Sequence, residues 1–233
     1  AMPSGESVLE ISSSWRDRLA TGPAGDPQLV EQFRRLAATL HQAHRTQGLR
    51  SVMVTSAEPS DGKTMTAINL ALVLAESYRY RVLLIDADLR RPSISSVVEL
   101  AEGSGLSEAL RSTAPQKLAL AQLGPRLTLL PAGRPTMNSI EALVSPRMRQ
   151  ILEEASAKFD WVIMDAPPIG PTADARLLSQ MAGGTLFVIR AEKSQYPEVQ
   201  RAIDMVGRDQ ILGVVLNDVS TKPSDNYYYY QGH

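Results

Sequence analysis

The sequence predicts an α/β fold in which one mostly parallel sheet carries helices on both faces, and three features predict it. Residues 51–56 (SVMVTS) form an apolar run that passes into Ala57-Glu58-Pro59-Ser60-Asp61-Gly62-Lys63-Thr64 and then into a helical pattern of Met65, Ile68, Leu72 and Ala75. Two further runs, 82–85 (VLLI) and 161–164 (WVIM), lack the alternation of a half-exposed strand, as strands covered on both faces do, and both lead into aspartate. Strand-like and helix-like stretches then alternate along the chain with no internal repeat, the pattern of a parallel sheet with crossover helices.

Taken in order, residues 1–25 mix Ser, Gly, Pro and charged residues without a sustained period and read as a flexible N-terminal arm or linker. The domain is expected to begin at Asp26, which caps a helix with Pro27 in its first turn and an apolar stripe of Leu29, Phe33, Leu36 and Leu40. Glu31, Arg34 and Arg35 fall on the opposite face. After the aspartate-ended run at 82–85 come a segment rich in small residues (92–105), a short helical piece (107–110) and a strand at 127–130. Ser145-Pro146 opens a helix bearing Met148, Ile151, Leu152 and Ala155. Beyond residues 161–164, the pattern reads helix at 173–181, strand at 185–189, helix at 198–206 and a last strand at 213–216. The domain body therefore spans 26–222, followed by a tyrosine-rich tail at 223–233.

Ligands of an open parallel sheet sit outside the carboxyl ends of its strands. Strands ending in Gly62-Lys63-Thr64, Asp86-Ala87-Asp88 and Asp165-Ala166-Pro167-Pro168 bring one lysine, one hydroxyl and three carboxylates to a single crevice, a set suited to a nucleoside triphosphate and Mg2+. The stretch from Glu58 through Met65 (Glu58, Pro59, Ser60, Asp61, Gly62, Lys63, Thr64, Met65) is the candidate phosphate loop. Its N–H groups and helix N-terminus hold phosphate oxygens, Lys63 adds a charge, and the Thr64 hydroxyl reaches the metal. The usual pattern is G-x-x-x-x-G-K-[ST], and Ala57 stands at its first glycine. Each aspartate taken alone fits a turn or cap residue; their coincidence beside a lysine loop points to phosphate chemistry.

Composition narrows the class. The 233 residues are 43% hydrophobic with 24 Lys and Arg against 25 Asp and Glu, enough to bury one full core. A net charge of -1 argues against a general nucleic-acid or anionic-membrane surface, so no nucleic-acid partner is expected. The absence of cysteine excludes disulfides and thiolate ligation of iron-sulfur clusters, and suits the cytoplasm. The longest apolar stretch is well short of the roughly 18–20 residues of a membrane span. Direct membrane insertion is not expected; association with the inner face of the cell membrane would run through a partner or an N-terminal membrane segment outside this sequence.

Four of the seven tyrosines are consecutive, Tyr227, Tyr228, Tyr229 and Tyr230, among Lys222, Pro223, Asp225 and Gly232. An exposed aromatic run carries an aggregation cost, so it is expected to have a use, an edge strand being the plain alternative. With the tail in view, the chain resembles the cytoplasmic catalytic domain of the bacterial tyrosine kinases of the capsular and exopolysaccharide type, single-domain P-loop NTPases related to the partition and septum-site ATPases. The resemblance rests on Glu31-x-x-Arg34, Asp61-Gly62-Lys63-Thr64, Asp86-x-Asp88-Leu89-Arg90-Arg91-Pro92, Asp165-x-Pro167-Pro168, Gly213-x-Val215-Leu216-Asn217 and the tyrosine tail.

That resemblance implies an ATP- and Mg2+-dependent autokinase that phosphorylates Tyr227, Tyr228, Tyr229 and Tyr230 in trans and regulates polysaccharide synthesis or export. It assigns Lys63 to the β and γ phosphates, Thr64 and Asp86 to Mg2+ directly or through water, and Asp165 to completing the metal shell. Asp88 would orient or deprotonate the acceptor tyrosine, and Asn217 would face the adenine of ATP or ADP. It also implies a homo-oligomeric ring and control by a membrane protein that sets polysaccharide chain length. The roughly -6 to -8 charges of a fully phosphorylated tail, repelled by Asp86, Asp88 and Asp165, are expected to make the ring dissociate on phosphorylation. Glu31 and Arg34 would form the ring contact, with Arg35 standing in where the third charged position of the family pattern is Ala37. Two other readings stand beside it: a partition or septum-type ATPase, which usually carries an extra lysine where Glu58 stands, and a nucleotide-gated scaffold of an export complex with little turnover.

Overall fold

β1 (Ser51–Ser56), β2 (Val82–Asp86), β3 (Ala121–Gly124), β4 (Leu127–Leu130), β5 (Trp161–Asp165), β6 (Thr185–Arg190) and β7 (Ile211–Asn217) form one sheet in the order β3-β4-β2-β5-β1-β6-β7. Every neighbouring pair is parallel except the hairpin of β3 with β4. The structure is a computed structural model that describes residues 19–20, 26–101, 103–112, 117–170 and 173–219. The absence of alternation in the central strands has the expected cause. Val52, Val54, Leu84, Ile163 and Val188 face one core with α1 (Pro27–Gln47), α2 (Lys63–Glu76) and α3 (Ile94–Val97). Met53, Leu83, Ile85, Val162 and Met164 face a second core with α4 (Leu106–Arg111), α5 (Ser139–Leu143) and α6 (Pro146–Lys158). Phe187 continues that second face beneath α7 (Asp174–Ser179) and α8 (Tyr196–Val206).

The helix boundaries follow local chemistry. At the start of α1, Asp26 accepts a hydrogen bond from the Gln28 N–H at 2.9 Å and Pro27 occupies the first turn. At its end Gly48 adopts φ 70°, the left-handed conformation that glycine reaches without a Cβ penalty. Ser145 caps α6 in the same way as Asp26, accepting from the Met148 N–H. Helix α2 is buried continuously from Thr66 to Ala75 because it lies between α1 and the sheet.

Besides a single 3-10 turn at Arg208–Gln210, the structure adds three short elements to the expected set. The segment 92–105 contains α3, an antiparallel edge strand β3 precedes β4, and α5 precedes α6. All three are four or five residues long, too short to show a hydrophobic period. Helix α1 turns Ala37 fully inward beside Phe33 and Leu40, while Leu29 and Leu36 are half-buried. The packed part of the chain also reaches back before Asp26: Leu19 and Ala20 are buried, and the Ala20 N–H donates to Asn69 Oδ1 at 2.7 Å. Among the described residues, no helix is long and apolar enough to cross a membrane.

Leu19 sits in the core of the α1–α2 face, so Leu19→Ala is expected to destabilise the protein by about 2–4 kcal/mol, the usual cost of a large-to-small change at a buried site. Urea denaturation measures it, and a change below about 0.5 kcal/mol would place the stable fold after residue 25.

Candidate active site

Strand register brings the functional groups together. Val54 of β1 lies opposite Asp165 of β5, and Asp165 lies opposite Asp86 of β2, so the carboxyl ends of three adjacent strands are level. The chain turns off β1 into the phosphate loop with Ser60 at φ 68° and Gly62 at φ 100°, the two left-handed positions between the strand and α2. Ala57 needs no such conformation; it is buried beside Ile169 and Phe187, which accounts for its tolerance at the first position of the motif. The backbone conformation at Gly62 favours glycine, and a Cβ there would also displace the Asn217 amide.

A brace behind the loop holds it in shape. Asp61 points away from the cavity: its carboxylate accepts from the Glu58 N–H at 3.1 Å and the Ser194 hydroxyl at 2.9 Å. Asn217, at the end of β7, donates Nδ2 to the Asp61 carbonyl at 2.9 Å. Pro59, Ser60, Gly62, Lys63, Thr64 and Met65 line a cavity of about 1100 Å³, while Glu58 and Asp61 lie outside its lining. Asp88, Arg90, Arg91, Met137, Arg190 and Asn217 complete much of its wall.

At the floor, Lys63 Nζ lies 3.4 Å from Asp165 Oδ1 and 3.5 Å from Asp88 Oδ2. Burial by itself depresses the Lys63 ammonium, but Asp165, Asp88 and Asp86 outweigh it and hold the group above the ordinary lysine value. Asp165, fully buried, is pushed up chiefly by burial, against the pull of Lys63 and of the Thr64 hydroxyl that donates to its Oδ2 at 2.7 Å. Burial, reinforced by Asp165, moves Asp86 up to about 7, although the Ile94 and Ser93 N–H groups and Lys63 oppose the shift. These N–H groups both bind Asp86 Oδ2, and the buried Oδ1 has no hydrogen-bond partner.

That orphaned oxygen, level with Asp165 and its bound Thr64 hydroxyl, gives the chain a donor set that fits a hard divalent cation. Among the described residues no three acidic or His side chains group as a metal site by themselves. The fit is therefore that of Mg2+, which takes one or two carboxylates and completes its shell with substrate phosphates and water.

The structure brings Lys63, Thr64, Asp86, Asp88 and Asp165 together, with Asn217 on the cavity wall, but sequence reasoning missed their supports. Ser93 bonds the Thr64 hydroxyl at 2.9 Å, and Ser194 reaches the loop from the far end of β6. A buried Asp174 receives Arg90 Nε at 2.9 Å and the Ser139 hydroxyl at 2.7 Å. No local pattern marks these residues, because each acts across 29 or more positions of chain. Asp88 pairs with Lys63 and with the Arg91 backbone N–H at 3.0 Å, not with either arginine side chain. Glu31 and Arg35 form an exposed i, i+4 pair at 3.6 Å, with Arg34 exposed beside them. Tyr227, Tyr228, Tyr229 and Tyr230 lie outside the described residues.

A phosphate loop on a central strand and facing carboxylates at a topological switch define a P-loop nucleotide-binding protein. The ParA family, described as NUBPL iron-transfer P-loop NTPase, matches residues 49–227, although this chain has no cysteine to ligate iron. Tyrosine-protein kinase YwqD of Bacillus subtilis is 34% identical over 203 residues, which is 86% of this chain and 85% of YwqD. The kinase domain of Escherichia coli tyrosine kinase ETK superposes with a TM-score of 0.76 at 30% identity, over 94% of this chain and 93% of that one. The succinoglycan biosynthesis transport protein ExoP of Rhizobium meliloti is 32% identical over 210 residues, 87% of this chain but only 26% of ExoP. The septum site-determining protein MinD of Pyrococcus horikoshii, with a TM-score of 0.59 and 19% identity over 72% of this chain and 70% of that one, shows the fold alone. The chain belongs to the bacterial tyrosine-protein kinases.

The raised Asp86 value predicts a pH dependence. A carboxyl whose folded value exceeds its unfolded one binds its proton more tightly when folded, so its stabilising contribution is present at low pH and lost as pH rises from near 3.8 through about 7. Without Mg2+ and nucleotide, Asp86→Asn is expected to raise Tm at pH 8 by about 3 °C or more relative to its effect at pH 5. Equal shifts at both values would contradict the assignment of strain to this carboxylate.

Proposed function

We propose that this kinase transfers the γ-phosphoryl group of ATP to the tyrosines of its own C-terminal cluster. The observation that carries the reading is the position of Lys63 between Asp165 at 3.4 Å and Asp88 at 3.5 Å; in this reading Asp165 serves the metal and Asp88 the acceptor. Thr64, Asp86 and Asp165 would hold Mg2+, which supplies charge neutralisation at the phosphates when bound. The loop N–H groups and the Lys63 ammonium orient the triphosphate. On binding, Lys63 exchanges a carboxylate contact for phosphate oxygen, which frees Asp88 Oδ2 to accept the phenolic hydrogen of the incoming tyrosine. The phenol oxygen then bonds to the γ-phosphorus as the bond to the β,γ-bridging oxygen breaks, ADP departs, and the phenolic proton passes to Asp88 or water. A phenol near pKa ~10 is protonated at neutral pH, so a positioned carboxylate has clear value.

Asn217 supports an adenine-side assignment, since it lines the cavity with Arg190 and Asp218 and retains an amide oxygen beyond the bond to Asp61. Transfer in trans within a homo-oligomer is proposed from the same family reading, with Glu31, Arg34 and Arg35 at the contact. Ala37 faces the core in this chain and adds nothing to that surface. The name of the longer ExoP supports a role in exopolysaccharide synthesis or export. A membrane-bound activating partner, with this domain at the inner face of the membrane, is proposed from the family reading.

Lys63→Met is expected to abolish autophosphorylation. An active enzyme whose four tail tyrosines are changed to Phe should nevertheless phosphorylate the Lys63→Met protein; silence in that mixture would favour transfer within one chain. Isothermal titration should show Asp88→Asn keeping Mg·ATP affinity within about twofold while Asp86→Asn loses about tenfold or more. Equal losses would overturn this division of roles.

A further inference from the structure

We propose that Arg91 reads an anionic group next to the acceptor tyrosine, so that a phosphotyrosine already made in the tail promotes transfer to its neighbour. The inference rests on the kinase reading above and names a substrate preference for the same site. Among the described residues, four cationic side chains line the cavity, and three of them are engaged. Lys63 is held by Asp165 and Asp88. Arg90 is tied to Asp174, whose side chain is 1% exposed, and Arg190 is paired with Asp218 at 2.8 Å. Among the described residues, Arg91 alone of the four has no carboxylate within ion-pair distance, and its side chain is exposed at the cavity wall.

The position of Arg91 separates it from the nucleotide side. Asp88 faces Lys63 with Oδ2 and accepts the Arg91 N–H with Oδ1, so Arg91 begins at the carboxylate oxygen turned away from the phosphate lysine. Its backbone is fixed twice, by that bond and by the preceding residue's link to buried Asp174. A guanidinium with no carboxylate partner is thus carried on the cavity wall by the residue whose backbone N–H binds the carboxylate assigned to the incoming phenol. Guanidinium binds phosphate through paired, charge-assisted hydrogen bonds, which makes phosphotyrosine a better match than Asp or Glu.

The tail supplies such a ligand. Asp225 precedes Tyr227 by two positions, and once one tyrosine is modified, its neighbours carry an adjacent group of about -1.5 to -2 charges. One arginine balances one phosphotyrosine and not four, so the preference should fade as the cluster fills.

The test uses the full chain with its four tail tyrosines changed to Phe as enzyme, and synthetic peptides of residues 222–233 as acceptors, either unmodified or phosphorylated at Tyr228. The readout is the ratio of kcat/KM for the two peptides, which a general loss of structure would not change. The ratio is expected to favour the phosphopeptide by about tenfold, to fall near one in Arg91→Gln and below one in Arg91→Glu, and to shrink with added salt. An unchanged ratio in Arg91→Gln overturns the proposal, as does a raised KM for ATP with the ratio intact, which would place Arg91 on the nucleotide. A parent enzyme that phosphorylates neither peptide, nor the tail of the Lys63→Met protein, removes the kinase reading and this inference with it.

Discussion

The structure depends on one buried charge cluster. Asp86, Asp88 and Asp165 are at most 5% exposed and share a single lysine that is 8% exposed. Desolvating an ion costs several kcal/mol even after relaxation, and one ammonium does not offset three carboxylates. The cluster exists because the strand order β2-β5-β1 makes neighbours of three chain segments far apart in sequence. Its consequence is a standing demand for positive charge, visible in the raised Asp86 value and the unpartnered Asp86 Oδ1. A divalent cation would meet that demand, and phosphate oxygens of a nucleotide would complete the part of its shell that the protein leaves open.

The remaining architecture holds this cluster rigid on the side of bound substrate. The phosphate loop is fixed from beneath by Asp61, from β7 by Asn217 and from the turn after β6 by Ser194. On the Asp88 side of the cluster, Asp174 joins the start of α7, Ser139 of α5 and Arg90 of the Asp-x-Asp turn. Sites built on rigid elements with supported side chains keep reacting groups near productive geometry, which is where most of the rate of phosphoryl transfer originates. Both braces connect elements that meet only in the folded sheet.

That distinction explains what was legible in the sequence. The central strands, the major helices and the residues at strand ends were readable because their signals are local: unbroken aliphatic runs, caps such as Asp26 and Ser145, and a glycine-lysine-threonine turn into a helix. The short elements β3, α3 and α5 carry too few residues for a period to emerge. Ser93, Ser139, Asp174 and Ser194 were invisible because an isolated serine or aspartate has no sequence signature for a partner many positions away. Leu19 and Ala20 were hidden by the polar, glycine-rich composition around them, although the fold buries both. The ion pair of Asp88 with Lys63 was likewise hidden, since only the fold brings the start of α2 beside the turn after β2.

The central claim is that these three strand ends form a site for phosphoryl transfer to the chain's own tyrosines. Intact-mass measurement of phosphatase-treated protein before and after addition of ATP and Mg2+, followed by peptide mapping, tests it most directly. The account predicts stepwise addition of phosphate confined to the peptide containing Tyr227, Tyr228, Tyr229 and Tyr230. Release of inorganic phosphate with no gain in protein mass would contradict it, and would indicate a nucleotide hydrolase on the same fold.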